Sequence, residues 1–508
     1  MVKRLSLLFG SFSILYGNSN ALDYLNSLRQ QANLPTLTTQ ENLSKAALNH
    51  SKYMALNHVA GHSEKRGNPG FSGETPQERA LYAGYLSKIV SENVSWGSPT
   101  YQESIDSLMS AIYHRFTFLT YSKDEIGVAK EDRFYTYDLG NSKLNELCKK
   151  ESTFKSGTYY KICKDTNKKI SIKDYQKGVD SIKSSAPETI LWPPKKGTNI
   201  PPVFFEEHPD PLPYYSVSGY PISVEFNDYF YKNPPSIDSF EIKDSKGNIL
   251  DTITLMDKNS DPNEKFNEFQ FALFPTKRLE WGSAYYVNLN YSDNSGEHQK
   301  QWCFQTRVLK SDRFYRVENA KNTTLKVIPN KSYTIYVVPR SKTDELGQIS
   351  FDSRVDLKLI DKNTLEVKTK ANIGDRLKIK ADNGQIIYLE VSKSDNASLP
   401  KNEKCEDKEF SSKNSSKKEN IKSKKGEVKV EIKSPNIEIE KINEKKIELK
   451  MAKEVIVEAK DSSLEIKTYK EPILKEIPIN NTKLNVPQKD TIEVSFDLDN
   501  SYKEWRYK

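Results

Sequence analysis

Six histidines occur in 508 residues, and four of them, His50, His58, His62 and His114, fall between positions 50 and 114, while His208 and His298 stand apart. Imidazole nitrogens beside a carboxylate can hold a divalent transition metal such as zinc, with an open position left for water or substrate. The same groups can act as general base and orienting acid, because histidine titrates near physiological pH. The nearest well-placed acid is Glu92, 30 residues after His62 and 22 before His114. Only tertiary folding can bring three such positions together. A nucleophilic hydrolase has less footing, since no G-x-S-x-G turn and no H-E-x-x-H helix occurs.

Each residue also has a structural reading. His62 follows Gly61 at a helix end, where it could satisfy terminal carbonyls, and Glu92 could cap buried backbone amides. His50 lies on the apolar side of a helix beside Ser51 and reads as a core histidine; His58 reads as surface.

The elements that must position these residues are mostly helical from 22 to 120. Leu22, Leu25, Leu28 and Ala32 share one face of a first helix that stops before Pro35. A second opens with Thr38 and Glu41 at capping-box spacing and buries Leu43, Ala46, Ala47, His50, Tyr53 and Met54. A third begins at Thr75, with Pro76 in its first turn and Glu78 completing the box. A fourth runs from Thr100 and Glu103 through Ile105, Leu108, Met109 and Ile112 to His114. The period then changes to two in "EIGVAKEDRFYTYDLG", a hairpin reversing at "KEDR". Helices and an antiparallel hairpin in one domain make it α+β.

Residues 22–140 resemble the CAP superfamily of cysteine-rich secretory proteins, venom antigens and plant pathogenesis-related proteins, in its bacterial secreted branch. The resemblance rests on "LNHSKYMALNHVAGH", "RALYAGY" followed by "SENVSWG", "LMSAIYHRFTFL" and "DEIGVA". It implies an α-β-α sandwich in which His62, Glu92 and His114 line a solvent-filled cleft, with His62 and His114 as metal ligands if one is held. Glu74 stands nearest the place of a second family acid. Tyr113 and Ser91 replace the family's usual glycines before "HR" and "EN".

The remainder reads as a multidomain chain. "MVKRLSLLFGSFSILYGNSNA" has the form of a secretory signal over 1–21, and no later run is long enough for a transmembrane helix. Export implies an oxidising compartment, periplasmic or extracellular, in which Cys148 and Cys163 can pair around a hairpin. Cys303 reads as a buried strand residue and Cys405 as part of a linker. Residues 141–200 form a disulfide-containing extension and Pro-rich connector, whose spacer-like run "WPPKKGTNIPPVFFEEHPDPLP" continues to 213. Sandwich-like strands recur over 201–308 as an immunoglobulin-like all-β module, and a second β-sandwich spans 309–396. A disordered linker follows at 397–425, then a charged, extended Lys/Glu-rich tail at 426–508.

The 77 Lys and Arg against 69 Asp and Glu give a net charge of +8, spread as mixed-sign surface with no basic, aromatic-interleaved face for nucleic acid outside the Lys-rich tail. The expected role is non-catalytic binding of a metal ion, zinc for instance, or of a small ligand or envelope component. A metal-dependent hydrolase with Glu92 as base, and an adhesive protein with a vestigial cleft, are the alternatives.

Overall fold

A computed structural model describes residues 8–150 and 157–406, apart from 216, 254, 319–321 and 342, and beyond 406 only stretches of strand backbone. Two units separate at residue 407.

In the first unit, β1 (Thr38–Thr39), β2 (Ser91–Trp96), β3 (Glu125–Glu131) and β4 (Phe134–Gly140) form one sheet in the order β1-β3-β4-β2. Its two faces are sorted by the alternation along the strands. Ile126, Val128, Tyr135, Tyr137 and Leu139 point to a core shared with α1 (Leu8–Gln31) and α4 (Tyr101–Ser110). The opposite face takes α2 (Glu41–Asn57), whose Tyr53 and Met54 meet Val94, and α3 (Pro76–Ala83) packs its Ala80 against Leu43 of α2. The α-β-α layering expected for this region is therefore present. Gly127 explains how closely α2 sits, because a Cβ there would lie 2.0 Å from the Leu43 carbonyl carbon.

Two local expectations change. The cap of α2 is Gln40, whose side chain accepts from Leu43 N at 2.8 Å, while Thr38 belongs to β1. The Thr75 and Thr100 caps hold, accepting from Glu78 N and Glu103 N. The fourth helix is broken: Ala111 takes extended angles and α5 (Ile112–Phe118) restarts the chain in a new direction.

Cys148 and Cys163 are bonded, as expected, but Cys148 sits on the helix Ser142–Lys149 rather than flanking a hairpin. The hairpin lies further on, between Tyr159–Tyr160 and Ile170–Ser171; residues 151–156 lie outside the described residues.

The connector is not a spacer. Thr189–Trp192 pairs with Ile222–Phe226, and Gly197–Ile200 runs parallel to Gly296–Thr306, so both complete the sheets of the first β module. That module shares one continuous core with the helical domain, in which Leu25, Ile105 and Phe118 join Ile190, Trp192, Tyr220, Val224 and Trp302. Arg115, fully buried, ties the two by donating to the carbonyls of Met109 and Pro221 at 2.7 Å each. The second module closes two four-stranded sheets over its own core, including Tyr315, Ile335, Val367, Leu377 and Leu389.

The expected disordered linker fails for 397–406. Cys405 is bonded to Cys303, Glu403 N donates to the Gly282 carbonyl at 2.7 Å, and Gly282, at φ 59°, leaves room for the Lys401 carbonyl. In the second unit the strands pair among themselves, Glu438–Asn443 with Lys446–Lys450 and Glu465–Lys470 with Ile473–Pro478.

Glu225 in strand Ile222–Phe226 gives the fold a pH dependence. Burial pushes its carboxyl up to about 8, and only one oxygen has a donor, Gln270 Nε2 at 2.7 Å. The folded state prefers the protonated acid, so stability declines as pH rises from the ordinary value of about 4.3 to that raised value and is level above it. Glu225→Gln should therefore be neutral at pH 4 and stabilising by about 1–3 kcal/mol at pH 8, the cost of a poorly paired buried group. Urea midpoints at the two pH values check this, and an equal effect at both would refute it.

Candidate functional site

The site forms where the loop after α2, the start of β2 and the first turn of α5 meet. Helix α2 ends at His58 in the left-handed region, exposed as expected, and Gly61, at φ 131°, turns the chain back toward the sheet. The loop is then anchored by Glu64, a buried acid that accepts from Ser72 N at 2.6 Å and Gly73 N at 3.3 Å. His50 reaches the same loop from α2, with Nδ1 2.9 Å from Glu64 Oε1 and Nε2 2.8 Å from the Gly61 carbonyl. It is a fully buried, doubly partnered core histidine, as its position on the helix suggested.

His62 follows Gly61 with its side chain 46% exposed, and its Nδ1 lies 2.9 Å from Glu92 Oε1. Arg79 of α3, fully buried, holds the assembly from behind. One of its amino groups donates both to Glu92 Oε2 at 2.7 Å and to the His62 carbonyl at 2.9 Å. Burial alone would raise the Glu92 carboxyl; the His62 hydrogen bond and the Arg79 charge overturn that and hold it below the usual range. Asp138, opposite Glu92 in the β2/β4 ladder, is fully buried with no donor to either oxygen. Burial and the Glu92 charge push its carboxyl well above the ordinary range.

His114 enters from α5, past the edge strand β2, with Asn93 Nδ2 donating to its carbonyl at 2.9 Å. Its ring stacks across from that of His62, centroids 6.4 Å apart and planes 20° apart. Its Nδ1 lies 2.9 Å from Glu207 Oε2, an acid contributed by the connector. The two imidazoles thus share one design: Nδ1 against a buried carboxylate, Nε2 without a protein partner among the described residues. Burial raises the Glu207 carboxyl, opposed by His114 and by the Ile112 and Tyr113 amides.

Residues 22–136 match the family model described as CAP: Cysteine-rich secretory protein family. This stretch is a CAP domain. Similar solved structures include an extracellular protein containing an SCP domain from Bacillus anthracis, 20% identical over 27% of this chain and 44% of that one, with a TM-score of 0.24. An outer surface protein of Borrelia burgdorferi is 16% identical over 27% of this chain and 96% of its own, at a TM-score of 0.21. A cysteine-rich secretory protein of Staphylococcus aureus is 18% identical over 27% and 41%, at 0.21. The chain spans less than half the length of the Bacillus and Staphylococcus proteins. No curated protein matches the chain in sequence.

Of the residues expected in the CAP cleft, His62, Glu92 and His114 come together. Glu74 does not: it is exposed, and its contribution is a carbonyl that accepts from Glu64 N and Arg79. The second buried acid of the CAP domain is Glu64, two residues after His62. Glu64, Arg79, Asp138 and Glu207 were all missed. Arg79 carried the one legible signal, a charged residue directly before the buried Ala80 of a short helix. Glu207, in a Pro-rich run outside the CAP domain, carried none.

The donor set bears on a metal. Both Glu92 oxygens are engaged, one by His62 and one by Arg79, and no group of three or more potential ligands is arranged for a metal among the described residues. Glu92 and Glu207 each stand at the Nδ1 of one ring, the place from which a carboxylate orients an imidazole.

Proposed function

We propose that the CAP domain and the first β module act together as an exported, non-catalytic binding unit whose cleft holds a divalent transition metal, zinc being the natural choice, or a small ligand. The observation that carries this reading is the facing pair His62 and His114, each locked at Nδ1 and open at Nε2, at the protein surface. Glu92 supports binding over hydrolysis, since it lies 8% exposed behind His62 with both oxygens engaged and so is placed to orient rather than to abstract a proton.

Export is supported by the basic and apolar start of the sequence and by cysteine use: all four cysteines are paired, a pattern of oxidising compartments. Among the described residues no helix is long and apolar enough to cross a membrane. The two sandwiches, read as immunoglobulin-like, would present the cleft to an envelope component.

Calorimetric titration of the tag-free full-length protein with zinc tests the reading. The full chain is required because the CAP domain shares its core with the β module. Wild type should take up one zinc per chain, and His62→Ala and His114→Ala should each weaken uptake at least tenfold. Uptake that is absent in wild type, or unchanged in both variants, would refute the metal-holding cleft.

A further inference from the structure

The second half of the cleft is built by a residue that the CAP domain does not contain. Helix α5 starts at Ile112, and Ala111 before it supplies no side-chain cap. Glu207 fills that vacancy from the β module, accepting from Ile112 N at 2.6 Å and from Tyr113 N at 3.2 Å, and its Oε2 also meets His114 Nδ1. One buried carboxylate therefore fixes where α5 begins and how the ring of its third residue is turned.

Tyr113 adds a second hold in the same place. Its hydroxyl bonds the Asp261 carboxylate and accepts from Asn263 Nδ2 at 2.9 Å, and its ring meets Phe266 edge-on, centroids 5.8 Å apart. Ile112 and Phe116 pack with Phe204 and Phe266 beneath it. The tyrosine that stands where the family's usual glycine would be is thus the side chain that reaches into the β module.

We infer that Glu207 is a positioning residue of the cleft, supplied across the module boundary, which holds His114 with its proton on Nδ1 and its Nε2 lone pair facing a ligand. This rests on the reading of the cleft as a binding site. The chemistry is that of the carboxylate–imidazole pairs behind metal-bound histidines, whose loss typically weakens metal binding 10- to 100-fold. It makes the β module part of the binding machinery rather than a stalk, and it makes ligand affinity depend on the docking of residues 204–266 against α5.

The test uses the metal-free, 15N-labelled full-length protein and Glu207→Gln, whose side-chain oxygen can still accept from Ile112 N. Long-range 1H–15N correlation reads the tautomer of each histidine, and zinc titration reads affinity. Wild-type His114 should carry its proton on Nδ1. The variant should shift His114 toward the Nε2-protonated form, leave His62 unchanged as the internal control, and weaken zinc about tenfold or more. His114 unchanged in the variant with zinc affinity within twofold of wild type would overturn the inference. So would a wild-type His114 with Nδ1 bare, a result that stands even if the variant fails to fold. If wild type binds no zinc, the metal reading falls while the tautomer comparison still decides the role of Glu207.

Discussion

Replacing Arg79 with methionine is expected to destabilise the first unit by about 3–5 kcal/mol, the range for breaking a buried ion pair by removing one partner. The side chain is fully buried, bonds Glu92 at 2.7 Å, stands 3.8 Å from Glu64 and donates to three loop carbonyls, those of His62, Gly73 and Glu74. Its loss strands two buried acids beside a third, Asp138, and frees the loop that carries His62. Urea unfolding followed by tryptophan fluorescence measures the loss, and a change below about 1 kcal/mol would contradict the role given to the ion pair. Adding Glu92→Gln should recover part of the stability, since it removes an uncompensated charge. The pH profile should move as well. Glu92 is held below its ordinary range, so its contribution is present above the unfolded value of about 4.3 and is lost as pH falls through the lower folded value. Without Arg79 the folded value rises, so Glu92 contributes less above about pH 4.3, and the stability gap between variant and wild type should narrow as pH falls.

Removing the Cys303–Cys405 bond by double substitution to serine is expected to cost about 4–5 kcal/mol in the chain-entropy account, because it opens a loop of 102 residues. The bond pins 397–406 across Gly282, Ala284 and Gln305, beyond the whole second module. The variant should therefore become sensitive to trypsin at Lys401 and Lys404 while retaining zinc uptake at the distant cleft. Resistance equal to that of wild type would show that the backbone hydrogen bonds alone hold the segment. The Cys148–Cys163 bond closes a separation of only 15 residues, and its removal should cost less, about 3 kcal/mol.

The sequence determined what local pattern can determine. Apolar spacing gave α2 its buried face, alternation gave the β3/β4 hairpin its two faces, and Thr75 and Thr100 marked their helix starts, because each depends on neighbours within a few residues. His62, Glu92 and His114 were legible as a set through the resemblance to the CAP superfamily, which rests on the short motifs around each of them.

Tertiary structure alone decided which partners those residues have. The break of the fourth helix at Ala111 is written into no strong local signal; Glu207, 95 residues on, satisfies the amide that the break exposes. Glu64 rather than Glu74 became the buried acid because the turn at Gly61 folds the loop back under His50, and proximity in three dimensions, not along the chain, selects the hydrogen-bond donor. The same holds for the connector, whose strands Thr189–Trp192 and Gly197–Ile200 find their ladders only when strands more than 30 residues away are in place. Long-range pairing depends on the whole chain being folded, and no window of sequence contains it.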